Sequence, residues 1–337
     1  MPTLSNPIAI GTSCLGQSPT HTLDQKIQAA APKGFQGFEI IYADLSRYSI
    51  SNNISIITGA KQIRQLADDL GVAIISLAPF ENFEGSTSSP IGDRLALASQ
   101  WLDLARILGA SYLQIPSQYN ANESTGDESV IVSEMQQLSD LAASLSPVIS
   151  IAYEPLSWGV YCSTWEEALA LVQKVDRDNF GLCLDTFHEI TKLWASPFAP
   201  SGVYPDGPEK LASSLSRSIE GIPLEKIFYV QLSDAERFDP PFSENHPWFL
   251  EGEAPEFTWS RHARPFPLES EFGGYTPVVD VVRAWVVEKG FKGWISMEIF
   301  DRRMRDEAYK VEDAAERGWR SWERVNEALE GKENARV

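Results

Sequence analysis

The chain has 337 residues, of which 43% are hydrophobic, and its ten tryptophans help to supply apolar volume for a large core. The formal charge of −19 would repel the phosphate backbone of a nucleic acid, so nucleic acid is not expected as a partner. No apolar run approaches the roughly 18 residues that a membrane span requires, so we expect no membrane partner.

The chain starts with MPTLSNPIAIGTSCLGQ, which lacks the basic region and the long apolar stretch of a secretion signal. Its three cysteines, Cys14, Cys162 and Cys183, are odd in number and widely spaced, which favours buried free thiols over a disulfide framework. Both features favour a cytoplasmic location. A homo-oligomer is expected only because symmetric assemblies are common among soluble proteins.

Eight short runs of apolar and β-branched residues predict strands that are covered on both faces, as in a parallel sheet. In chain order they are PIAIGT, GFQGFEII, VAIISLAPF, SYLQIP, PVISIAYE, FGLCLD, KIFYVQLSD and GWISMEIF. Amphipathic stretches lie between many of them, and several end at glycine, as helices often do. These stretches are LDQKIQAAAPKG, AKQIRQLADDLG, RLALASQWLDLARILG, ESVIVSEMQQLSDLAASL, TWEEALALVQKV and VVDVVRAWVVEKG.

The alternation of strand and helix predicts an α/β fold with a parallel sheet. Eight units follow one another without a composition break or a linker rich in Pro, Gly and Ser. This pattern favours a closed (β/α)8 TIM barrel over a doubly wound sheet. We therefore predict a single domain over residues 1–337.

Two segments extend this pattern. The run from Ser233 to Tyr275 is rich in proline and aromatic residues and shows no helical period, so we predict a long functional loop at about 233–275 over the active face. The charged segment RRMRDEAYKVEDAAERGWRSWERVNEALEG predicts an outer helix with solvated charges.

Four polar residues fall at the carboxyl ends of strands five to eight, where barrel side chains converge: Glu154, Asp185, Gln231 and Glu298. A buried carboxylate is costly unless it is paired or bound to a metal. Three carboxylates and an amide form an all-oxygen set, which predicts a hard divalent ion such as Mg²⁺ or Mn²⁺. The alternative for each acid taken singly is an ordinary loop or helix-cap role.

His188 follows Asp185 by three residues, close enough to lie beside the predicted metal. A neutral imidazole at this place could take a proton from a carbon next to a carbonyl group. The alternative is a histidine that only orients Asp185. In the motif WSRHARPFP, Arg261 and Arg264 are candidates to bind a substrate carboxylate through the planar guanidinium, and a surface salt bridge is the alternative.

At YEPLSWG, NFGLCLDTFH, YVQLSDAE, WSRHARPF and WISMEIF the chain resembles the 3-dehydroshikimate dehydratases of the fungal quinate-catabolism type and their bacterial relatives, within the xylose-isomerase-like barrel superfamily. The resemblance covers nearly the whole chain, from GTSCLG through KGFQGFEI, PFENFEG and LQIPSQY to FDRRM. The later motifs are long and specific, and the earlier ones are looser.

The resemblance implies roles for particular residues. Glu154, Asp185, Gln231 and Glu298 match the metal ligands of the family, and His188 matches its proton-transfer histidine. We expect Glu154 and Glu298 to take part in catalysis as well. Arg264 matches an arginine at the substrate carboxylate, with Arg261 as a second candidate. Glu39 and Gln114 are expected to contact the substrate.

This chain departs from the family pattern at several positions. Pro155 follows Glu154 where the family has alanine, and Ala43 stands where a polar group is usual. The rim of the predicted pocket also differs, at Tyr42, Ala78, Glu81 and Tyr161. These differences concern the substrate more than the metal or the fold.

The resemblance implies metal-dependent dehydration of 3-dehydroshikimate, a cyclic hydroxy-keto acid, to protocatechuate. One alternative is a keto-sugar or sugar-phosphate isomerase or epimerase that uses the same metal and acid–base groups and needs no carboxylate clamp. A DNA repair nuclease would need a basic face and more histidine ligands, which the sequence lacks. A binding protein that has lost catalysis would have no chemical reason to keep the metal set and the base together.

Overall fold

The structure is a computed structural model that describes residues 4–334. The domain bounds predicted above also include residues 1–3 and 335–337, which lie outside the described residues. Within the described range no helix is long and apolar enough to cross a membrane.

Eight parallel strands close into a barrel in chain order, since the first strand pairs with the second on one side and with the last barrel strand on the other. The barrel strands are β1 (Ile8–Gly11), β2 (Gly37–Ile41), β3 (Ala73–Ala78), β4 (Tyr112–Pro116), β5 (Ser150–Glu154), β6 (Phe180–Asp185), β7 (Ile227–Leu232) and β9 (Trp294–Met297). Each of the eight runs predicted from the sequence contains one of them. The predicted (β/α)8 barrel is confirmed.

Helices surround the barrel and fill the connections between its strands. They are α1 (Leu23–Ala30), α2 (Tyr42–Ser51), α3 (Ile56–Leu70), α4 (Ile91–Leu108), α5 (Glu128–Ala143), α6 (Trp165–Val175), α7 (Thr186–Leu193), α8 (Gly207–Gly221), α9 (Pro255–His262), α10 (Val278–Val282) and α11 (Val311–Asn334). The pattern did not predict α2, α7 or α8, because each of these stretches is short or mostly polar along its length. A π-helical turn, Arg283–Glu288, continues α10.

The interior of the barrel is filled in layers, because side chains two residues apart on a strand share a face. Ala9, Ile75, Ala152, Cys183 and Tyr229 form a buried apolar cluster separate from the main core. The residues two positions further along β5, β6 and β7 are polar: Glu154, Asp185 and Gln231. The strand period therefore turns these three side chains toward the same interior, at the carboxyl ends of the strands.

The segment after β7 is more ordered than its sequence predicts. It contains α9 and a two-residue strand, β8 (Ala263–Arg264), which pairs antiparallel with β10 (Phe300–Asp301) just beyond the last barrel strand. The prediction of a segment without helix was wrong, because an eight-residue helix is too short to show a clear period. The buried Asp234 carboxylate fixes the ends of the segment by accepting hydrogen bonds from the backbone N–H groups of Leu268 and Thr276.

Candidate active site

The four predicted metal ligands lie where the strand period places them. Glu154 and Asp185 are the last residues of β5 and β6, Gln231 is the next-to-last residue of β7, and Glu298 directly follows β9. All four side chains are buried. The register of the sheet brings Asp185 directly opposite Gln231 on the neighbouring strand. The structure therefore gathers the four at one end of the barrel.

Glu154, Asp185 and His188 form a buried group of possible metal ligands. One ligand atom from each lies within 4.8 Å of the others. Nε2 of His188 is 3.2 Å from Oε1 of Glu154 and 3.6 Å from Oδ2 of Asp185. Oε1 of Glu154 is buried and has no hydrogen-bond partner. An unpartnered buried carboxylate oxygen is costly, and a divalent cation would remove that cost, so the donor set fits a metal.

Gln231 connects two acidic side chains in this structure. Its Nε2 donates to both carboxylate oxygens of Glu39, at 3.1 and 3.2 Å, and to Oε1 of Glu298 at 3.1 Å. Its Oε1 accepts from the thiol of Cys183 at 3.1 Å. The amide therefore turns its N–H groups toward the carboxylates, and it would have to rotate by half a turn to offer its oxygen to a cation.

Arg264 lies among the predicted ligands. Its Nη2 pairs with Oδ2 of Asp185 and with Oε2 of Glu298, the latter at 2.8 Å. Its Nε donates to the hydroxyl of Ser233 at 2.7 Å, and the residue is only 1% exposed. The other oxygen of Asp185 accepts from the backbone N–H of Phe187 and caps α7. Asp185 therefore caps a helix with one carboxylate oxygen and belongs to the acidic cluster through the other.

The acidic cluster is electrostatically unsatisfied. Burial raises the pKa of Glu39, Glu154 and Asp185, and it raises the pKa of Glu298 to about 7. The Glu298 charge adds to the effect at Glu39 and Glu154 because like charges disfavour ionisation. The charge of Arg264 is shared among Asp185, Glu298 and Glu154, so the cluster favours binding of a further cation.

His188 is held by a residue that the sequence analysis did not single out. Ser157 donates its backbone N–H to Nδ1 of His188 at 3.2 Å, and its hydroxyl oxygen lies 3.4 Å from the same nitrogen. The hydroxyl of Thr191 in turn donates to Ser157 at 3.0 Å. Because Nδ1 accepts the N–H of Ser157, the neutral imidazole carries its proton on Nε2, which faces the carboxylates. Burial lowers the pKa of His188 to about 4, so the imidazole is neutral near pH 7.

The cluster opens into a cavity of about 390 Å³. Of the predicted site residues, Gln114, Glu154, His188, Arg261, Arg264 and Glu298 line it. Gln114 donates its side-chain N–H to Oε2 of Glu154. The other predicted residues, Glu39, Asp185 and Gln231, lie in the buried cluster rather than in the lining.

Several lining residues were missed by the sequence analysis. They are aromatic or come from outside the motifs at the strand ends: Tyr119, Trp158, Phe257, Phe300 and Arg305. Trp158 packs edge-on against the imidazole of His188, with ring centroids 4.8 Å apart. Trp158 could have been predicted as a site residue, because it lies in the motif YEPLSWG together with Glu154. Arg305 stands in the segment interpreted as an outer helix, so no pattern indicated it.

Two of the four residues that the sequence analysis placed on the pocket rim line the cavity. Ala78 and Glu81 line the cavity, whereas Tyr42 and Tyr161 are not among its described lining residues. Tyr42 stacks on Trp101 with ring centroids 4.1 Å apart. Tyr161 donates its hydroxyl to the carbonyl oxygen of Ser124 at 3.1 Å. Tyr42 thus packs against α4, and Tyr161 packs against the connection between β4 and α5.

Comparisons with known proteins agree with this architecture. The family model of the xylose isomerase-like TIM barrel matches residues 27–324. A curated 3-dehydroshikimate dehydratase of Neurospora crassa is 34% identical over 97% of this chain and 95% of that protein.

Two solved structures share the fold. A xylose isomerase-like TIM barrel/4-hydroxyphenylpyruvate dioxygenase fusion protein is 28% identical, with a TM-score of 0.74 over 98% of this chain. This chain spans 44% of the length of that fusion protein. An IOLI protein with a bound zinc atom is 19% identical, with a TM-score of 0.71 over 96% of this chain and 99% of that one. The chain belongs to the xylose isomerase-like TIM barrel family.

Proposed function

We propose that this chain dehydrates 3-dehydroshikimate to protocatechuate and water. The observation that carries the proposal is the meeting of Glu154, Asp185 and His188 in one buried cluster beside the cavity, in a chain whose fungal relative bears the name of that activity. The three residues offer carboxylates and an imidazole within 4.8 Å of one another.

The proposed metal set is Glu154, Asp185, Gln231 and Glu298, as the sequence predicts. A divalent ion held there, Mn²⁺ or Mg²⁺, would supply positive charge beside the ketone oxygen of the substrate. The unpartnered Oε1 of Glu154 supports this set. Gln231 joins it through its oxygen after rotation of its amide.

His188 is the proposed base. Its imidazole is neutral near pH 7, and Nε2 is the nitrogen that faces the acidic cluster. To act as a base, His188 must first shift its proton from Nε2 to Nδ1, where the hydroxyl of Ser157 can accept it, and the lone pair on Nε2 is then free. His188 takes a proton from the ring carbon next to the ketone, and the same proton leaves with the ring hydroxyl as water. Loss of water and tautomerisation then give the aromatic diol acid, so the atoms balance.

The cavity suits a flat ring that carries a carboxylate. Trp158, Phe257 and Phe300 provide aromatic surface, and Leu156 and Pro116 add apolar contacts. A neutral keto sugar would gain little from this lining or from an arginine charge beside it, whereas a cyclic acid gains from both. The lining therefore favours dehydration to an aromatic acid over sugar isomerisation.

The test mixes the purified protein with 3-dehydroshikimate and follows the ultraviolet absorbance of protocatechuate. One sample is supplied with Mn²⁺ or Mg²⁺, and a second is stripped by a chelator. Product formed only with metal supports the proposal. Absence of product from metal-loaded protein would refute it, and keto sugars would then be tried as substrates. The Arg320→Gln variant is a matched control, because this exposed side chain lies on α11 and pairs with Glu316.

A further inference from the structure

The positive charges of the cavity are not equivalent. Three arginines line it: Arg261, Arg264 and Arg305. Arg264 pairs with Asp185 and Glu298, and Arg261 pairs with Glu253 at 2.9 Å. Among the ion pairs of the described residues, none brings a carboxylate within 4.0 Å of Arg305. Arg305 is therefore the lining arginine that has no ion pair, and its side chain is exposed.

Neutral acceptors hold the guanidinium of Arg305 in place. Nε donates to Oε1 of Gln17 at 3.3 Å, and Nη1 contacts Nδ1 of His262 at 3.1 Å. Nη2 donates to the carbonyl oxygen of Arg261. A guanidinium has five N–H groups, so two remain for a ligand. These contacts orient the side chain without cancelling its charge.

The surroundings of Arg305 favour an anion. Partial burial lowers its pKa, and the nearby positive charges of Arg261 and Arg302 lower it further, against a smaller opposite effect of Asp301. Arg302 itself pairs with Glu236 at 2.6 Å. A bound carboxylate would relieve the repulsion among these cations. At the predicted metal set the opposite holds, because the uncompensated carboxylates there repel an anion. The cavity thus separates a cation-binding end from an anion-binding end.

We propose that Arg305 binds the substrate carboxylate and thereby selects cyclic hydroxy-keto acids over neutral ring substrates. This inference rests on the proposed function and assigns a residue to its substrate specificity. The family resemblance implies Arg264 for the same role, but its guanidinium is already engaged by Asp185, Glu298 and Ser233. In this assignment Arg264 stabilises the acidic cluster, and Arg305 orients the ring from the C-terminal segment.

The test compares an acid with its neutral ester. Shikimate and methyl shikimate are titrated calorimetrically into Mn²⁺-supplied wild type, Arg305→Gln and the Arg320→Gln control. The wild type and the control should prefer the acid by about tenfold or more, since a charge-assisted pair is lost in the ester. Arg305→Gln should bind the acid about tenfold more weakly and the ester unchanged. Its KM for 3-dehydroshikimate should rise more than its kcat falls.

The outcomes separate this inference from the proposed function. Suppose that the wild type prefers the acid, that Arg305→Gln abolishes this preference, and that the wild type does not convert 3-dehydroshikimate. These results refute the dehydratase proposal but support the anion site. The inference is overturned if the wild type and Arg305→Gln bind the acid with equal affinity. It is also overturned if the wild type does not prefer the acid to the ester, or does not bind shikimate. If Arg305→Gln fails to fold, Arg305→Lys decides the question. Lysine keeps the positive charge but lacks the planar guanidinium that can donate two hydrogen bonds to one carboxylate. The variant should therefore bind the acid several-fold more weakly and the ester unchanged.

Discussion

Nε2 of His188 lies 3.2 Å from Oε1 of Glu154, across the gap between the ends of two neighbouring strands. That oxygen has no hydrogen-bond partner, and the histidine is anchored from behind by Ser157. His188, the proposed base, and Glu154, a proposed metal ligand whose Oε1 lacks a hydrogen-bond partner, thus face each other.

Asp185→Asn and His188→Ala should separate metal binding from proton transfer. Asp185→Asn removes a charged ligand, so metal content and protocatechuate formation should fall together. His188→Ala removes the base and should lower kcat by about 100-fold or more while metal content stays near that of the wild type. Metal analysis of both purified variants, with kinetics on the same samples, checks this. Equal metal loss in the two variants would show that His188 is itself a ligand.

Chelation should lower the melting temperature of the wild type. A ligand that binds only the folded state at 100 times its Kd stabilises that state by about 2.7 kcal/mol. Differential scanning fluorimetry with and without added Mn²⁺ measures the shift. The Asp185→Asn variant should show a much smaller response. A wild type indifferent to both chelator and Mn²⁺ would contradict the metal site.

Ser157→Ala should slow turnover without changing metal content. The substitution keeps the backbone N–H that donates to His188 but removes the hydroxyl that can accept the Nδ1 proton. The tautomer with a free Nε2 is then less favoured, and kcat should fall about tenfold, while KM changes little. Steady-state kinetics and metal analysis measure both effects. An unchanged kcat would remove Ser157 from the proton-transfer machinery.

Glu84→Gln should stabilise the protein at alkaline pH. Glu84 is buried, and burial raises its pKa from 4.5 to about 7. The folded state therefore holds this proton more tightly than the unfolded state, and stability falls as pH rises from about 4.5 through 7. The variant has no such cost, so its advantage over the wild type should be larger by about 3 kcal/mol at pH 8 than at pH 4.

Urea unfolding of both proteins at the two pH values measures this difference. The amide of the variant keeps an oxygen for the hydrogen bonds that Glu84 accepts from Tyr153 and from the backbone of Gln118. A stability difference that does not change with pH would show that Glu84 titrates normally.

The chain alone predicted the parts of the site that depend on local pattern. An apolar run that ends in an acid shows both the strand and the face on which the acid lies, because side chains alternate along a strand. Glu154 and Asp185 could be identified in this way and His188 by its position three residues after Asp185, and the structure brings the three within 4.8 Å. The eight-strand barrel followed from the regular spacing of such runs.

Only the tertiary structure decided which of the charged groups meet. Arg264 enters the acidic cluster from a segment about 80 residues beyond Asp185, and Arg305 reaches the cavity from a stretch that the sequence presented as solvated. Ser157 contacts His188 across two adjacent connections. These contacts arise when barrel closure brings all the strand ends together, and they depend on distances that no local periodicity encodes. Strand period therefore determined the ligand positions, and closure of the barrel determined their partners.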